Sequence, residues 1–396
     1  MRFRILKLSI LLSIWCLYNV KAQTLRCHIS AGINPVSVNA KPNLAVREKM
    51  QFQLVFHILY TTAEENISMG QIVSQVQVLN DIMNQAVVWP NPQIPAVFRS
   101  LKESPQFQFC LADSDPQGNP TMGVTRTLIK DLSIACKKEF GKRNLMHKSL
   151  GGVDIWDPKK YINIFIINRD QCPVLGEAIF PWNASSDEDG VIIHYKALGY
   201  TGPAADYYPF HQGKTLVHEL GHYFGLLHLS NDRSDCNGDD EVEDTPTQAN
   251  EYFGCPKYEA ETCGNLNMFM NYMSLVEDGC MLLFTKAQIN RMQQMIQTYR
   301  LDLPTAANCI PTSQNELTDV NGSFENGFWL LYHKDHKNWS ADIELYDTGG
   351  KLIWQSSVVA VQYLTIPDLL QEMGSGLYFV ILRDQKNQKV LKLFTN

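Results

Sequence analysis

The stretch from His218 to His228, H-E-L-G-H-Y-F-G-L-L-H, decides how this chain is organised. On a helix, His218 and His222 lie one turn apart on the same face, where two neutral imidazoles can bind one Zn²⁺. Gly225 can adopt a positive φ and turn the chain out of the helix, which would return His228 as a third nitrogen ligand. Glu219 would then lie beside the metal, within reach of a water in the remaining coordination position.

The glycine and the third histidine make this pattern specific, because a bare H-E-x-x-H also occurs by chance. A structural zinc site is usually closed by four protein ligands, often cysteines. Three histidines and a free carboxylate instead indicate an open, hydrolytic site. The sequence therefore predicts zinc bound by His218, His222 and His228, with Glu219 as the catalytic residue.

The composition is that of a globular, exported protein. The chain has 396 residues, 45% hydrophobic and 19% charged, which is enough for two or three domains. Its net charge of -7 and the lack of a basic face argue against nucleic acid as a partner. At the amino end, Arg2, Arg4 and Lys7 precede an apolar run that is too short to span a membrane, as in a signal peptide. We expect a secreted protein without a membrane span.

Hydrophobic periodicity predicts an α+β domain followed by a β-rich tail. A helix is expected after Ser68, and the zinc helix and one further helix follow later in the chain. The segment between the third and fourth strands contains Gly176, Pro181 and Asp189-Gly190, and is expected to be loop and turn. The strands are expected at 52–60, 107–111, 161–168 and 191–195, and the last helix at 284–299.

The same patterns divide the chain into four parts. Residues 1–22 are expected to be a signal peptide and residues 23–48 an extended pro-segment. Residues 49–310 would form the catalytic domain. Short alternating strands from about residue 315 predict a separate β-sandwich over residues 316–396.

Several spaced blocks resemble the pappalysin family of metzincin metalloproteases, over about residues 50–300. The resemblance implies an extracellular zinc endopeptidase with a mixed sheet, an active-site helix and a substrate cleft between an upper and a lower subdomain. Besides the zinc motif, the blocks are Gly176 to Pro181, Asp189-Gly190-Val191-Ile192, Asp240-x-Val242-x-Asp244-Thr245-Pro246, Asn271-Tyr272-Met273 and Cys280-Met281-x-x-Phe284-Thr285.

The resemblance assigns Met273 to a turn beneath the three imidazoles, although a methionine that only fills the core is the alternative. Family members often carry a tyrosine two residues later that can reach the metal or the developing oxyanion. This chain has Leu275 there. Tyr272, Tyr223, a backbone N–H or the metal itself would have to stabilise the oxyanion instead.

Cysteine spacing leaves the disulfides open. The four cysteines between positions 236 and 280 allow three pairings. The resemblance implies Cys236–Cys263 and Cys255–Cys280, which would staple an irregular loop to the turn that carries the methionine.

Two further features follow from the resemblance. Asp240, Asp244 and the Thr245 carbonyl resemble a calcium site, and hard oxygen ligands on an irregular loop suit Ca²⁺. A solvated acidic loop is the alternative. Some relatives also place an acid near the methionine turn that attracts basic side chains, and Glu277 and Asp278 lie nearby, so an arginine or lysine preference is expected.

Cys27, in Arg26-Cys27-His28, precedes the predicted catalytic domain. Nine cysteines remain once Cys16 is removed, so at least one is unpaired within the chain. A thiolate can bind zinc in the water position and keep a precursor latent. Pappalysin precursors are thought to use such a switch, usually in an Arg-Cys-Gly context, which is only partly matched here. The alternative is a disulfide from Cys27 to Cys110, Cys136, Cys172 or Cys309.

The tail resembles the sorting domain of the type IX secretion system, through residues 343–351, 376–380 and the ending Lys392-Leu393-Phe394. A carbohydrate-binding β-sandwich is the alternative. Together these features predict a secreted, latent zinc endopeptidase that acts on proteins or peptides and uses the secretion machinery as a partner. A non-catalytic surface adhesin with a relic zinc domain is the alternative from another class.

Overall fold

The computed structural model describes residues 26–27, 50–83, 94–119, 121–256, 260–303, 317–325, 328–334, 339–361, 363–366, 376–383 and 388–395. The predicted signal peptide, most of the predicted pro-segment and Cys309 lie outside these residues. The described helices and strands enclose two main apolar cores, one in each predicted domain.

Short and long strands alternate with four helices in the first domain. The helices are α1 (Met69–Met83), α2 (Ala96–Arg99), α3 (Lys214–Tyr223) and α4 (Lys286–Tyr299). The strands are β1 (Met50–Tyr60), β2 (Lys102–Glu103), β3 (Phe107–Leu111), β4 (Val124–Leu128), β5 (Lys138–Glu139), β6 (Lys142–Arg143), β7 (Tyr161–Ile167), β8 (Gly176–Ala178), β9 (Val191–His194), β10 (Glu261–Thr262), β11 (Asn265–Leu266) and β12 (Phe284–Thr285).

The main sheet has the order β3-β1-β7-β9-β8, and β4 pairs with the second half of β1 beside β3. The pairs are parallel except that β8 runs antiparallel to β9. Side chains alternate between the two faces, so Phe52, Leu54 and Phe56 of β1 pack with α1 and α3, whereas Leu59 faces a second cluster with Phe165. This mixed sheet confirms the predicted α+β class.

One functional strand was not predicted. β8 lies in the segment expected to be loop and turn, because three residues are too few to show a period of two. Its pairing with β9 makes it the edge strand of the sheet. The backbone just before and at the start of β8 contacts Arg26, as described below.

The long segment after α3 is stapled rather than regular. Disulfides join Cys236 to Cys263 and Cys255 to Cys280, and a third joins Cys136 to Cys172; Cys110 is also disulfide-bonded. Among the described cysteines, Cys27 is the free one. α4 then begins with a capping box in which Thr285 and Gln288 satisfy each other's backbone N–H groups.

The second domain is the predicted β-sandwich. Its sheets have the orders β13-β14-β17 and β16-β15-β18-β19, all antiparallel, and enclose a core that includes Ile343 and Val380. On its outer side Tyr363 packs into the core of the first domain, next to α1. The strands are β13 (Val320–Glu325), β14 (Phe328–His333), β15 (Trp339–Asp347), β16 (Leu352–Val361), β17 (Tyr363–Ile366), β18 (Gly376–Arg383) and β19 (Gln388–Thr395).

Candidate active site

Helix α3 and the turn after it bring three imidazoles together. His218 and His222 lie on one face of α3, and Gly225 has φ +91°, so the chain turns back and places His228 beside them. The Nε2 atoms of the three rings lie 3.1, 3.2 and 3.2 Å apart.

The three rings are buried, and burial lowers the pKa of His222 to about 3. Burial likewise lowers the pKa of His218, whereas for His228 burial is outweighed by the hydrogen bond to Asp232 and the nearby Glu251, so that its pKa is raised. A metal ion at the three Nε2 atoms would bind all three rings in the neutral form.

The other ring nitrogens determine where the lone pairs point. The Nδ1 atoms of His218 and His222 lie 2.7 Å from the carbonyl oxygens of Tyr272 and Leu226, and Nδ1 of His228 lies 2.7 Å from Asp232 Oδ1. Because each Nδ1 faces an acceptor, it carries the proton and donates.

Three unprotonated Nε2 atoms therefore converge, and their lone pairs repel one another unless a cation lies between them. A tetrahedral zinc site with Zn–N bonds of about 2.0–2.1 Å needs nitrogens roughly 3.3–3.4 Å apart, close to the observed spacing. The residues fit a zinc ion.

Glu219 lies beside the triangle formed by the three Nε2 atoms and is not part of it. Its carboxylate is buried, Oε2 lies 3.7 Å from the Cys27 sulfur, and Oε1 accepts no hydrogen bond from the described residues. Burial raises the pKa of Glu219 to about 8. Gly176 leaves room for it, since a Cβ there would overlap the Glu219 carboxylate.

Met273 lies beneath the zinc helix. It is fully buried, its backbone N–H donates to Asn271 Oδ1 at 2.9 Å, and its sulfur lies so close to Gly221 that a Cβ there would collide with it. Gly221 separates the two helical ligands His218 and His222 along α3. Met273 thus packs against the helix backbone that carries both ligands.

The two described residues of the predicted pro-segment cross this site. The Cys27 sulfur belongs to the same group of metal-ligand atoms as the three imidazoles, all within 4.8 Å of one another. Burial raises the pKa of the Cys27 thiol well above its usual value, so a thiolate there requires a cation beside it. The Arg26 carbonyl accepts hydrogen bonds from the N–H groups of Leu175 and Gly176, at 3.1 and 2.9 Å.

The Arg26 side chain fills a buried pocket next to the metal ligands. Its guanidinium donates to Thr215 Oγ1, the Val276 carbonyl and Asp278 Oδ1, at 2.8, 2.8 and 2.7 Å. Behind the pocket, the Lys214 ammonium donates to the Asp278 carbonyl at 2.7 Å. The loop that carries the acid is thereby tied to the first turn of α3.

The two tyrosines considered for the oxyanion pack against other groups. The Arg300 guanidinium carbon lies 3.7 Å from the centroid of the Tyr223 ring, and both residues cluster with Asp189. Tyr272 is buried, and its ring packs on Phe284 at 4.8 Å. Leu275 instead forms an apolar wall around Cys27 together with Phe180 and Leu227.

The described residues form no carboxylate cluster for the predicted calcium. Asp240 Oδ1 accepts from the Thr245 hydroxyl at 2.7 Å, and Asp244 Oδ2 accepts from the Ala287 N–H at 2.9 Å. Within the described part of the chain, the groups of three or more possible metal-binding side chains are the one around Cys27 and one of His228, Asp232 and Glu251. The calcium site stays a prediction.

Comparisons with known proteins agree with this geometry. The family described as pregnancy-associated plasma protein-A matches residues 147–297. The structure of mature mirolysin from Tannerella forsythia with a cleaved peptide is 33% identical, with a TM-score of 0.56, covering 65% of this chain and 99% of that one. A promirolysin variant from the same organism is 34% identical, with a TM-score of 0.58, covering 65% of this chain and 84% of that one. The chain belongs to the pappalysin family of metzincin metalloproteases.

Curated relatives of this pappalysin include fungal proteins named extracellular metalloproteases. One from Arthroderma gypseum is 30% identical over 210 residues, which cover 51% of this chain and 64% of the relative. One from Arthroderma benhamiae is 26% identical over 246 residues, covering 62% of this chain and 76% of the relative. The pappalysin chain thus spans somewhat less than two thirds of the length of the first relative. Among its described residues, no helix combines the length and hydrophobicity needed to cross a bilayer.

Sequence reasoning missed two groups of this pappalysin site. Asp232 was not singled out, because a carboxylate four residues after a ligand carries no signal until the turn at Gly225 is built. Lys214 was likewise not singled out, although it is almost fully buried.

Proposed function

We propose that this pappalysin is a secreted zinc endopeptidase, made as a latent precursor, that cleaves protein substrates next to arginine. The observation that carries the proposal is the convergence of three imidazole Nε2 atoms beside the buried carboxylate of Glu219. The relatives named extracellular metalloproteases support the location and the activity. The cleaved peptide bound to mirolysin supports peptide substrates.

His218, His222 and His228 would hold the zinc through Nε2. Bound zinc supplies a Lewis acid for the scissile carbonyl and makes a water molecule more acidic. Beside a bound cation the buried carboxyl of Glu219 would ionise in spite of its raised pKa. Glu219 then accepts the proton of the attacking water at Oε1, which is unpaired among the described residues, and returns it to the leaving amine. The N–H groups of Leu175 and Gly176, which bind the Arg26 carbonyl in the latent form, would bind the substrate backbone.

The position of Cys27 supports the proposed latency. Its sulfur lies within 4.8 Å of the ligand nitrogens of the three imidazoles and 3.7 Å from Glu219 Oε2. A thiolate there would occupy the open coordination position and block the carboxylate. Removal of this segment would activate the enzyme.

The contacts of the Arg26 side chain support arginine as the residue that the neighbouring pocket would hold. Three acceptors surround its guanidinium, one of them a fully buried carboxylate. Because the three acceptors are shared between two guanidinium nitrogens, they suit the fork of an arginine better than the compact ammonium of lysine. We therefore propose that the pocket takes arginine from the substrate once Arg26 has left.

The C-terminal β-sandwich is proposed to be a sorting domain recognised by a type IX secretion machinery. Support comes from the sequence resemblance of residues 343–351 and 376–380, which fall in β15 with the turn after it and in β18. Export of a reporter protein fused to this β-sandwich tests the proposal, since a sorting domain is expected to direct that export.

The decisive experiment compares the parent with Glu219→Gln. The variant should keep stoichiometric zinc and lose about 10²–10⁴ in the rate of casein or peptide hydrolysis, the usual contribution of a positioned acid–base group. A zinc chelator should abolish parent activity, and added zinc should restore it. A matured parent that binds zinc but cleaves no peptide would instead support a non-catalytic adhesin.

A further inference from the structure

A cavity of about 260 Å³ lies beside the metal ligands, next to the Cys27 thiol. None of the side chains that hold Arg26 lines it, so it is distinct from the arginine pocket. One wall of the cavity is the edge strand β8 with the turn that follows it. The other wall is the hairpin formed by β5 and β6. The lining residues include Lys138, Arg143, Glu177, Phe180, Glu188 and His222.

We propose that this cavity is a second substrate subsite, and that Lys138 selects an acidic side chain there. The subsite would take a residue on the opposite side of the scissile bond from the arginine. The inference rests on the proposed peptidase function. It adds a substrate class, namely peptides with an arginine on one side of the scissile bond and an acidic residue on the other.

The charges around the cavity favour an anion. Arg143 donates to Glu177 Oε1 at 2.9 and 2.6 Å and to Glu188 Oε2 at 3.1 Å, so its guanidinium is shared between both carboxylates. The buried Arg169 lies behind Glu177, with Nη2 3.6 Å from its Oε2. Among the described groups around the cavity, two guanidinium groups thus face two carboxylates, and Lys138 adds a further positive charge.

Lys138 is placed to meet a ligand. Its ammonium lies 4.0 Å from Glu177 Oε1, a distance too long for a hydrogen bond, and its side chain is 49% exposed. A substrate carboxylate can pair with it without breaking the contacts of Arg143. A basic side chain would instead be repelled by Lys138 and Arg143 together.

The size of the effect follows from the exposure of Lys138. A half-exposed ion pair changes binding by a small factor, so we expect about a two- to fivefold preference in kcat/KM for glutamate over lysine at this position. Glutamine should fall between them.

The test uses the matured, secreted protein and quenched fluorescent peptides that share one arginine and differ only at the position across the scissile bond, as Glu, Gln or Lys. Lys138→Met should remove the preference, and Lys138→Glu should reverse it toward lysine. Lys142→Met is the matched control, because Lys142 lies on the same hairpin, pairs with Asp187 and does not line the cavity. It should keep the preference of the parent.

Two results would overturn the subsite: a parent that cleaves the Glu and Lys peptides equally well, or a Lys142→Met variant that loses the preference as fully as Lys138→Met. Failure of the proposed function looks different, because no peptide would then be cleaved at all. In that case the anisotropy of the labelled peptides bound to the same variants still measures the preference, and equal binding of the Glu and Lys peptides rejects the subsite.

Discussion

The guanidinium of Arg26 lies 2.7 Å from the carboxylate of Asp278, and neither side chain is exposed to solvent. The two residues are 252 positions apart in the chain. Gln212 donates its backbone N–H to the other carboxylate oxygen at 2.8 Å, so Asp278 is held in place from both sides. The pair joins the latent segment to the loop behind the zinc helix, and it marks the pocket that a substrate would enter.

Asp278→Asn is expected to weaken selection of arginine. Breaking one partner of a buried ion pair costs about 3–5 kcal/mol, which corresponds to a loss of roughly 10²–10⁴ in kcat/KM for arginine peptides. Peptides with a neutral residue in that position should lose much less. Glu277→Gln is the matched control, since Glu277 is the adjacent acid and does not contact Arg26, and equal losses in both variants would contradict the assignment of the pocket.

Cys27→Ala is expected to give a precursor that becomes active earlier. The variant removes the sulfur that stands with the three imidazoles while leaving the Arg26 contacts intact. Active-site titration of the freshly secreted precursor measures the effect. Arg26→Ala tests the other half of the segment, and a Cys27→Ala precursor as latent as the parent would remove the thiol from the mechanism.

Asp232→Asn is expected to weaken zinc binding by about 10- to 100-fold, as is usual when the partner of a metal-binding histidine is changed. Asp232 is the only carboxylate that faces a ligand Nδ1 in the described site, whereas the other two partners are backbone carbonyls. Competition with a fluorescent chelator measures the affinity directly. Asp235→Asn, which removes a nearby exposed acid paired with Arg233, should leave zinc affinity unchanged.

His57, which is not a metal ligand, is expected to make the free energy of unfolding depend on pH. Burial lowers the pKa of His57 to about 4, against about 6.5 for a free histidine. As the pH falls from about 6.5 to 4, the unfolded chain therefore binds the proton first, and about 3 kcal/mol of unfolding free energy is lost. His57→Gln should lose correspondingly less between pH 7 and 4 in denaturant titrations, and identical pH profiles for both proteins would contradict this.

The contact between the two domains is expected to be stabilising. Gln77 Oε1 accepts hydrogen bonds from the Tyr200 hydroxyl at 2.8 Å and from the Thr365 hydroxyl at 2.9 Å. A double-mutant cycle with Gln77→Ala and Thr365→Val should give a coupling of about 1 kcal/mol in the unfolding free energy. Independent effects of the two changes would show that the sandwich does not dock on α1 in solution.

Long, strongly patterned elements could be predicted from the sequence, and short or cross-chain features could not. β1, β3, β7 and β9 were expected within about two residues of their ends, because each has a continuous apolar run. β8 was missed because three residues carry no period, and it forms only through its partner β9.

The site shows the same division. The pattern from His218 to His228 could be interpreted alone, since the helical repeat and one glycine place the ligands within eleven residues. The roles of Asp278 and Leu275 could not be derived from spacing. The role of Asp278 depends on a pocket in which α3 and the loop at Val276 meet Arg26, and that of Leu275 depends on packing with Cys27 and Phe180.

The sequence by itself determined the chemistry: three imidazoles and a carboxylate at helical spacing, a glycine for the turn, and two domains of different hydrophobic period. Only the tertiary structure decided which residues from distant segments contact those groups. Arg26 and Cys27 reach the site from the far end of the chain, and the ion pair with Asp278 forms only when the folded core buries both groups away from water. Local geometry follows from backbone dihedrals and side-chain periodicity, whereas contacts between distant segments depend on how the whole core packs.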